Sequence, residues 1–249
     1  MKNFKFYALI LLLAATVSCN KNDSGSANLN IKGNVSSDDA ADMVAASISS
    51  SDAASVAGVS SDVSVSAQAF VNIHLGCGAV KSDSISRSYT GSQVSYSYKL
   101  KYNYTLNCSN NVPDNLSSDV SYSGSYSGPR LSMTNSGSSS FVVGGLAPTS
   151  TNFVINGQYK RSGSFKSKVD TAKNGSSDIN ITVKSLTLIR PSRKIASGSA
   201  AFTIAGNVPK KGDFAFTGDI VFNGDGTAKV TINGTVYIVD METGEKTRK

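Results

Sequence analysis

In the stretch VSYSYKLKYNYTLNC, residues 94–108, every second residue is Val, Tyr, Leu or Cys, and the residues between them are polar. A period of two marks an extended strand with one buried face, because a helix cannot keep such a pattern on one side over this length. At about 3.3 Å per residue the strand runs roughly 50 Å, more than twice the usual length. A strand that long needs equally long neighbours. Residues 80–89, 116–127, 130–143, 153–168, 178–189, 195–207, 214–222 and 227–240 supply them, separated by Thr90-Gly91, Pro113-Asp114, Gly128-Pro129, Ala147-Pro148, Asn174-Gly175, Pro191, Pro209 with Lys211-Gly212, and Asn223-Gly224-Asp225-Gly226. Such short turns join sequence neighbours antiparallel, and no helical pattern between these strands could serve a parallel crossover.

The fold predicted is all-β: a large curled antiparallel meander sheet, an open or partly closed barrel, with a short N-terminal amphipathic helix over its mouth or apolar face. Gly157, Gly163, Gly198, Gly218 and Gly234 interrupt the apolar faces and are expected to let the strands bend.

The chain opens with Lys2 and Lys5, an apolar run over residues 6–17, and then Ser18-Cys19. Twelve apolar residues make roughly 18 Å of helix against about 30 Å of hydrocarbon, so residues 1–18 read as a cleaved signal and not as a membrane span. The motif TVSC resembles the lipobox of bacterial lipoproteins, with Thr16 where that pattern usually has Leu. The resemblance implies that Cys19 is the lipid attachment site and first residue of the mature chain, anchored by its acyl chains. Residues 19–35 then read as the lipidated cysteine and a polar tether.

Residues 36–58 read as a short helical segment. Ser36, Ser37, Asp38 and Asp39 can cap its start, and Ala40, Met43, Val44, Ser47 and Ile48 form a stripe. Residues 63–75 fit two periods. Val63, Val65, Ala67, Ala69, Val71, Ile73 and Leu75 alternate, while Val63, Ala67, Phe70, Val71 and His74 share a helical face. The β-branched content favours strand, so the antiparallel β domain is expected over residues 59–249.

Export implies an oxidising setting, and two cysteines remain besides Cys19. A disulfide between Cys77 and Cys108 is expected. With a three-residue turn, Gly91-Ser92-Gln93, joining the first two strands, Gly76 would face Cys108, and the bridge would close the open end of that hairpin within one residue of register.

Charge is uneven. Residues 20–62 carry two basic and six acidic side chains, and residues 63–239 carry seventeen basic and eight acidic. The β portion is thus mildly attractive to anionic lipid or glycan, and nucleic acid is not an expected partner. Lys160, Arg161, Lys166, Lys168, Lys173, Lys184, Arg190, Arg193 and Lys194 form a basic stretch, read as a solvated outer face.

Little in the chain suggests catalysis. The one histidine, His74, reads as a strand residue, and the glycine-rich GSYSG at residues 124–128 has Tyr126 where a nucleophilic serine would stand. NGDG reads as a hairpin turn and not a calcium loop, and Cys77 and Cys108, once paired, leave no zinc ligands. No enzyme activity, metal or cofactor is expected. Tyr96, Tyr98, Tyr102 and Tyr104, with Tyr122 and Tyr126 beside them, are the candidate ligand-facing residues, able to stack on sugars or line a lipid groove; the competing reading packs them under the helix.

The lipobox, the tether, the DDAADMVAASIS helix and the closing NGDGTAKVTINGTVYIVDMETGE look like the exported lipoproteins of Bacteroidetes-type bacteria. That resemblance implies an outer-membrane location and no established activity. In outline the fold is also similar to the periplasmic lipoprotein-carrier and lipoprotein-receptor folds. The leading expectation is therefore a lipid-anchored envelope protein with a structural or binding role. The alternative is a lipid or lipoprotein carrier with an open-barrel apolar cavity; a surface glycan-binding protein or hydrolase ranks below both.

Overall fold

The computed structural model describes residues 35–73 and 75–249. The signal segment, Cys19, the tether up to residue 34, and His74 lie outside the described residues. Two helices, α1 (Ser37–Ile48) and α2 (Val56–Asn72), precede eleven strands: β1 (Val80–Thr90), β2 (Ser95–Ser109), β3 (Val112–Ser127), β4 (Leu131–Gly144), β5 (Asn152–Ser167), β6 (Asn174–Ile189), β7 (Ile195–Val208), β8 (Gly212–Phe222), β9 (Thr227–Ile232), β10 (Thr235–Asp240) and β11 (Lys246–Arg248). All eleven form one antiparallel sheet in sequence order. The meander is as the alternation predicts, and the helices fill its apolar side.

Two turns differ from expectation. The last long segment is cut by Asn233-Gly234, both at positive φ, into β9 and β10. The β2–β3 turn is Asn110-Asn111, also at positive φ, while Pro113 sits inside β3 opposite Cys108 at a bulge. Asn and Gly tolerate the left-handed region that tight hairpins require.

Inward glycines do more than bend the strands. Tyr98 pairs with Gly124, Tyr122 with Gly137, Phe141 with Gly157 and Phe202 with Gly218. A methyl group on Gly218 would lie 2.6 Å from the Phe202 ring. Each glycine makes room for an aromatic ring reaching across from the next strand, so bulk is traded between neighbours at constant layer thickness. Gly157 also sits at a register shift in the β5–β6 ladder with φ of 145°, which a side chain would rarely adopt.

Residues 63–72 are helix, not strand. Ser55 caps α2, its hydroxyl accepting the Gly58 amide at 3.0 Å, and Val56, Val59, Val63, Ala67 and Phe70 are buried along one side. The alternating set that suggested a strand is split: Val65 and Ile73 are exposed. Tertiary burial of the 3.6-residue face overrode β propensity. The helical segment is thus two helices, with α2 continuing well past residue 58.

At α1, Ser36 and Asp39 form a reciprocal cap: the Ser36 hydroxyl accepts the Asp39 amide at 3.2 Å, and Asp39 accepts the Ser36 amide at 2.8 Å. Eight of its twelve residues are buried, more than one stripe, because α1 touches β4 on one side and β9, β10 and β11 on the other. The apolar layer between helices and sheet is one continuous cluster.

Cys77 and Cys108 form a disulfide. The first hairpin turns at Ser92-Gln93, with the Gly91 amide bonded to the Val94 carbonyl at 2.9 Å, and Val80 pairs with Thr105. That register is one residue from the predicted one, and extended back along the chain it sets Cys77 opposite Cys108.

Candidate functional site

Three of the four candidate ligand-facing tyrosines seat the helices. Tyr98 donates to Asp52 in the α1–α2 connection at 3.3 Å, and Tyr102 donates to Asp62 of α2 at 2.6 Å. Tyr104 stacks on Tyr102 with ring centroids 5.7 Å apart and meets Phe70 of α2 edge-on at 6.0 Å. All three are buried, and burial pushes the Tyr104 hydroxyl up to about 12 and holds those of Tyr98 and Tyr102 well above their ordinary value. They stay neutral donors. Tyr122 and Tyr126 are buried too, Tyr122 donating to the Lys160 carbonyl at 2.9 Å.

Beneath the α1–α2 connection lies an ion pair. Arg161, 1% exposed, points inward from β5 and donates through Nη2 to Asp52 at 2.7 Å and through Nη1 to the Ala46 carbonyl at 3.4 Å. The other Asp52 oxygen accepts the Ala54 amide at 2.9 Å, and Tyr159 donates to the Ala54 carbonyl at 2.8 Å. Arg161 therefore does not belong to a solvated basic face. It ties the sheet to the turn between the helices.

Other members of the basic stretch are also engaged. Lys168 donates to the Gly128 carbonyl, Lys173 to Asp39, and Arg190 to Gln68 of α2 while lying 4.6 Å above the Phe153 ring. The five acidic residues between residues 36 and 62 all face basic partners on the sheet or its turns: Asp38 with Lys246, Asp39 with Lys173, Asp42 with Arg130 and Lys246, Asp52 with Arg161, and Asp62 with Arg87. These pairs make part of the charge asymmetry an internal docking pattern. Burial raises the carboxyl of Asp62, and that of Asp42, above the ordinary carboxylate value despite these partners; at Asp39 burial pushes upward too, but the bonds from Lys173 and Ser36 outweigh it.

Two surface hollows meet at Tyr96, the fourth candidate. Tyr96 is half-buried and pairs in register with Tyr89, which is 53% exposed; their rings are tilted, with centroids 5.9 Å apart. On one side a hollow of about 360 Å³ is bounded by Ser50, Ser51, Gln93, Glu242 and Thr243. On the other, across the strands on the outer face, a hollow of about 410 Å³ is lined by polar side chains in cross-strand rows, Ser97, Ser125, Thr134 and Ser164 in one, Ser95, Ser127, Ser132 and Lys166 in the next. On the helix side the two tyrosines form an aromatic ledge beside the hydrogen-bonding groups of Ser50, Ser51, Gln93, Glu242 and Thr243. Tyr89 was absent from the sequence-based candidates, although it ends the neighbouring strand on the same inward parity as Ile85.

Among the described residues, no group of three or more His, Cys, Asp or Glu is placed to hold a metal, and no helix is long and apolar enough to cross a membrane. Compared with known proteins, the chain matches no family model, no curated protein and no solved structure.

Proposed function

We propose that the protein is a lipid-anchored outer-membrane envelope protein, attached through Cys19, whose sheet presents a saccharide-binding surface at the Tyr89–Tyr96 ledge. The supporting observation is where the chain spends its aromatic surface. Most inward tyrosines and phenylalanines are covered by the chain's own helices, while Tyr89 and Tyr96, past the helix ends, border a hollow with Ser50, Ser51, Gln93, Glu242 and Thr243 on its rim. A sugar offers an apolar face to stack on a ring and a rim of hydroxyls to exchange hydrogen bonds, which is the chemistry this ledge and its flanks supply. A lipid carrier would call for an enclosed apolar space of several hundred Å³; α1 and α2 occupy the region where the sheet would provide it.

The test is calorimetric titration of the purified protein with neutral and uronate-containing oligosaccharides of about six units. Binding to at least one is expected, with Tyr96→Ala weakening it about tenfold, the effect of one lost aromatic stack. Affinity untouched by Tyr96→Ala, or no binding across the panel, would overturn the reading. Acyl lipid co-purifying in native mass spectra, beyond the chains covalently attached, would favour the carrier instead. The anchor is checked separately: Cys19→Ser is expected to abolish acyl labelling of the mature chain and release it from membranes, and labelling that persists would refute attachment at that residue.

A further inference from the structure

The first edge of the sheet is a long, exposed strand whose sequence reads as its own complement. Ten of the eleven residues of β1 are exposed, Ile85 alone being half-buried, and β1 pairs only with β2. The bond from the Gly91 amide to the Val94 carbonyl fixes the phase of the ladder. Odd-numbered residues of β1 direct their backbone groups at β2, and Ser82, Ser84, Ser86 and Ser88 direct theirs outward. An unpaired row of this kind is a template for another strand.

From this edge we infer that two copies of the chain pair through β1, antiparallel about a two-fold axis at Ile85. In that register Ser84 faces Ser86 of the partner subunit and Ser82 faces Ser88 of the partner subunit, so the outward-directed groups meet each other. Asp83 faces Arg87 of the partner subunit, twice over by symmetry, and Lys81 faces Tyr89 of the partner subunit. Sliding the register two residues one way sets Lys81 against Arg87 of the partner subunit. Sliding it the other way sets Asp83 against Tyr89 of the partner subunit, so only the central register pairs the charges. Like charges directly opposite disfavour other pairings, which is how a charged edge selects one partner. The opposite edge, β11, has three residues and is too short to receive β1 head to tail. The association therefore closes at two copies.

Two present contacts bear on the pairing. Arg87 already bonds Asp62, but a guanidinium has five N–H donors and that bond holds it on the correct face. Asp83 now accepts the Ser84 amide at 2.7 Å, a local bond that is exchanged for the inter-chain ladder.

Sedimentation of the purified protein over a concentration series, with detergent where the anchor is present, is expected to show a reversible monomer–dimer equilibrium. Asp83→Lys should weaken it at least about tenfold by placing like charges opposite each other, while Asp83→Glu should preserve it. In an independent measurement, Ile85→Cys should give a disulfide-linked dimer on mild oxidation, because the two thiols face each other at a pair without ladder hydrogen bonds; Ser82→Cys should not. A monomer at every concentration, a dimer indifferent to Asp83→Lys, open-ended oligomers, or equal crosslinking through residues 82 and 85 would each overturn the inference. None of these readouts involves sugar binding, so the two proposals stand or fall separately.

Discussion

Replacing Arg161 with methionine is expected to cost about 3–5 kcal/mol of folding stability, the usual penalty for stripping the partner from a buried charge. Asp52 has no exposed side-chain surface and would be left with the Tyr98 hydroxyl and a backbone amide in place of a guanidinium. Urea unfolding measures the loss, and with slopes of about 2–3 kcal/mol per molar the midpoint should fall by roughly 1.5 M. Asp52→Asn alone should be similarly damaging, since it leaves Arg161 unpaired. Arg161→Met combined with Asp52→Asn should recover much of the deficit, because removing both charges removes the desolvation penalty as well. A double variant as unstable as the sum of the singles would mean that shape, not charge pairing, sets the cost.

Removing the disulfide is the other large effect. Cys77→Ser with Cys108→Ser releases a loop spanning 31 positions, and the chain-entropy model assigns it about 3.5 kcal/mol. For a domain of this size that is a fall in Tm of about 10 °C. The loss should concentrate at β1, which has β2 on one side only, so its amides should gain the most exchange with solvent. Reducing agent applied to the unaltered protein should reproduce the shift. A fall under about 3 °C would show that the hairpin ladder alone holds that corner.

Both effects bear on what could be read from residues alone. The strands were legible because their period of two is local and runs through nearly every segment from Val80 onward. The helix at Val56–Asn72 was not, because Val63 with Val65 at i+2 and Ala67 at i+4 satisfies two periods at once; the choice depended on which face would be buried, and that is decided by β3, β4 and β5 far along the chain. One local sign pointed the right way: Ser55 sits where a helix cap belongs. Arg161 was legible in principle. It shares odd parity with Phe153, Ile155, Tyr159 and Phe165, so alternation alone places it inward, and grouping it with its basic neighbours by charge concealed that. The pairing of inward glycines with cross-strand aromatics could not be read without the register of each hairpin, which a change of one residue in its own turn displaces. Of the ledge, Tyr96 was visible as one of four alternating tyrosines. What separates it from Tyr98, Tyr102 and Tyr104 is where the helices end, and alternation carries no information about that.

The order of the chain sets the order in which its parts can come to rest. Ser50 donates its backbone amide to the Met241 carbonyl at 2.7 Å, and α1 lies against β9, β10 and β11, so the helix that is synthesised before the strands finds its final seat only when β9–β11 have followed. The hairpins have no such wait, since each strand can lay down on the one before it. Synthesis of this polypeptide thus delivers an oily helical pair early and the strands that cover it late, and in the interval between them the pair is without its cover.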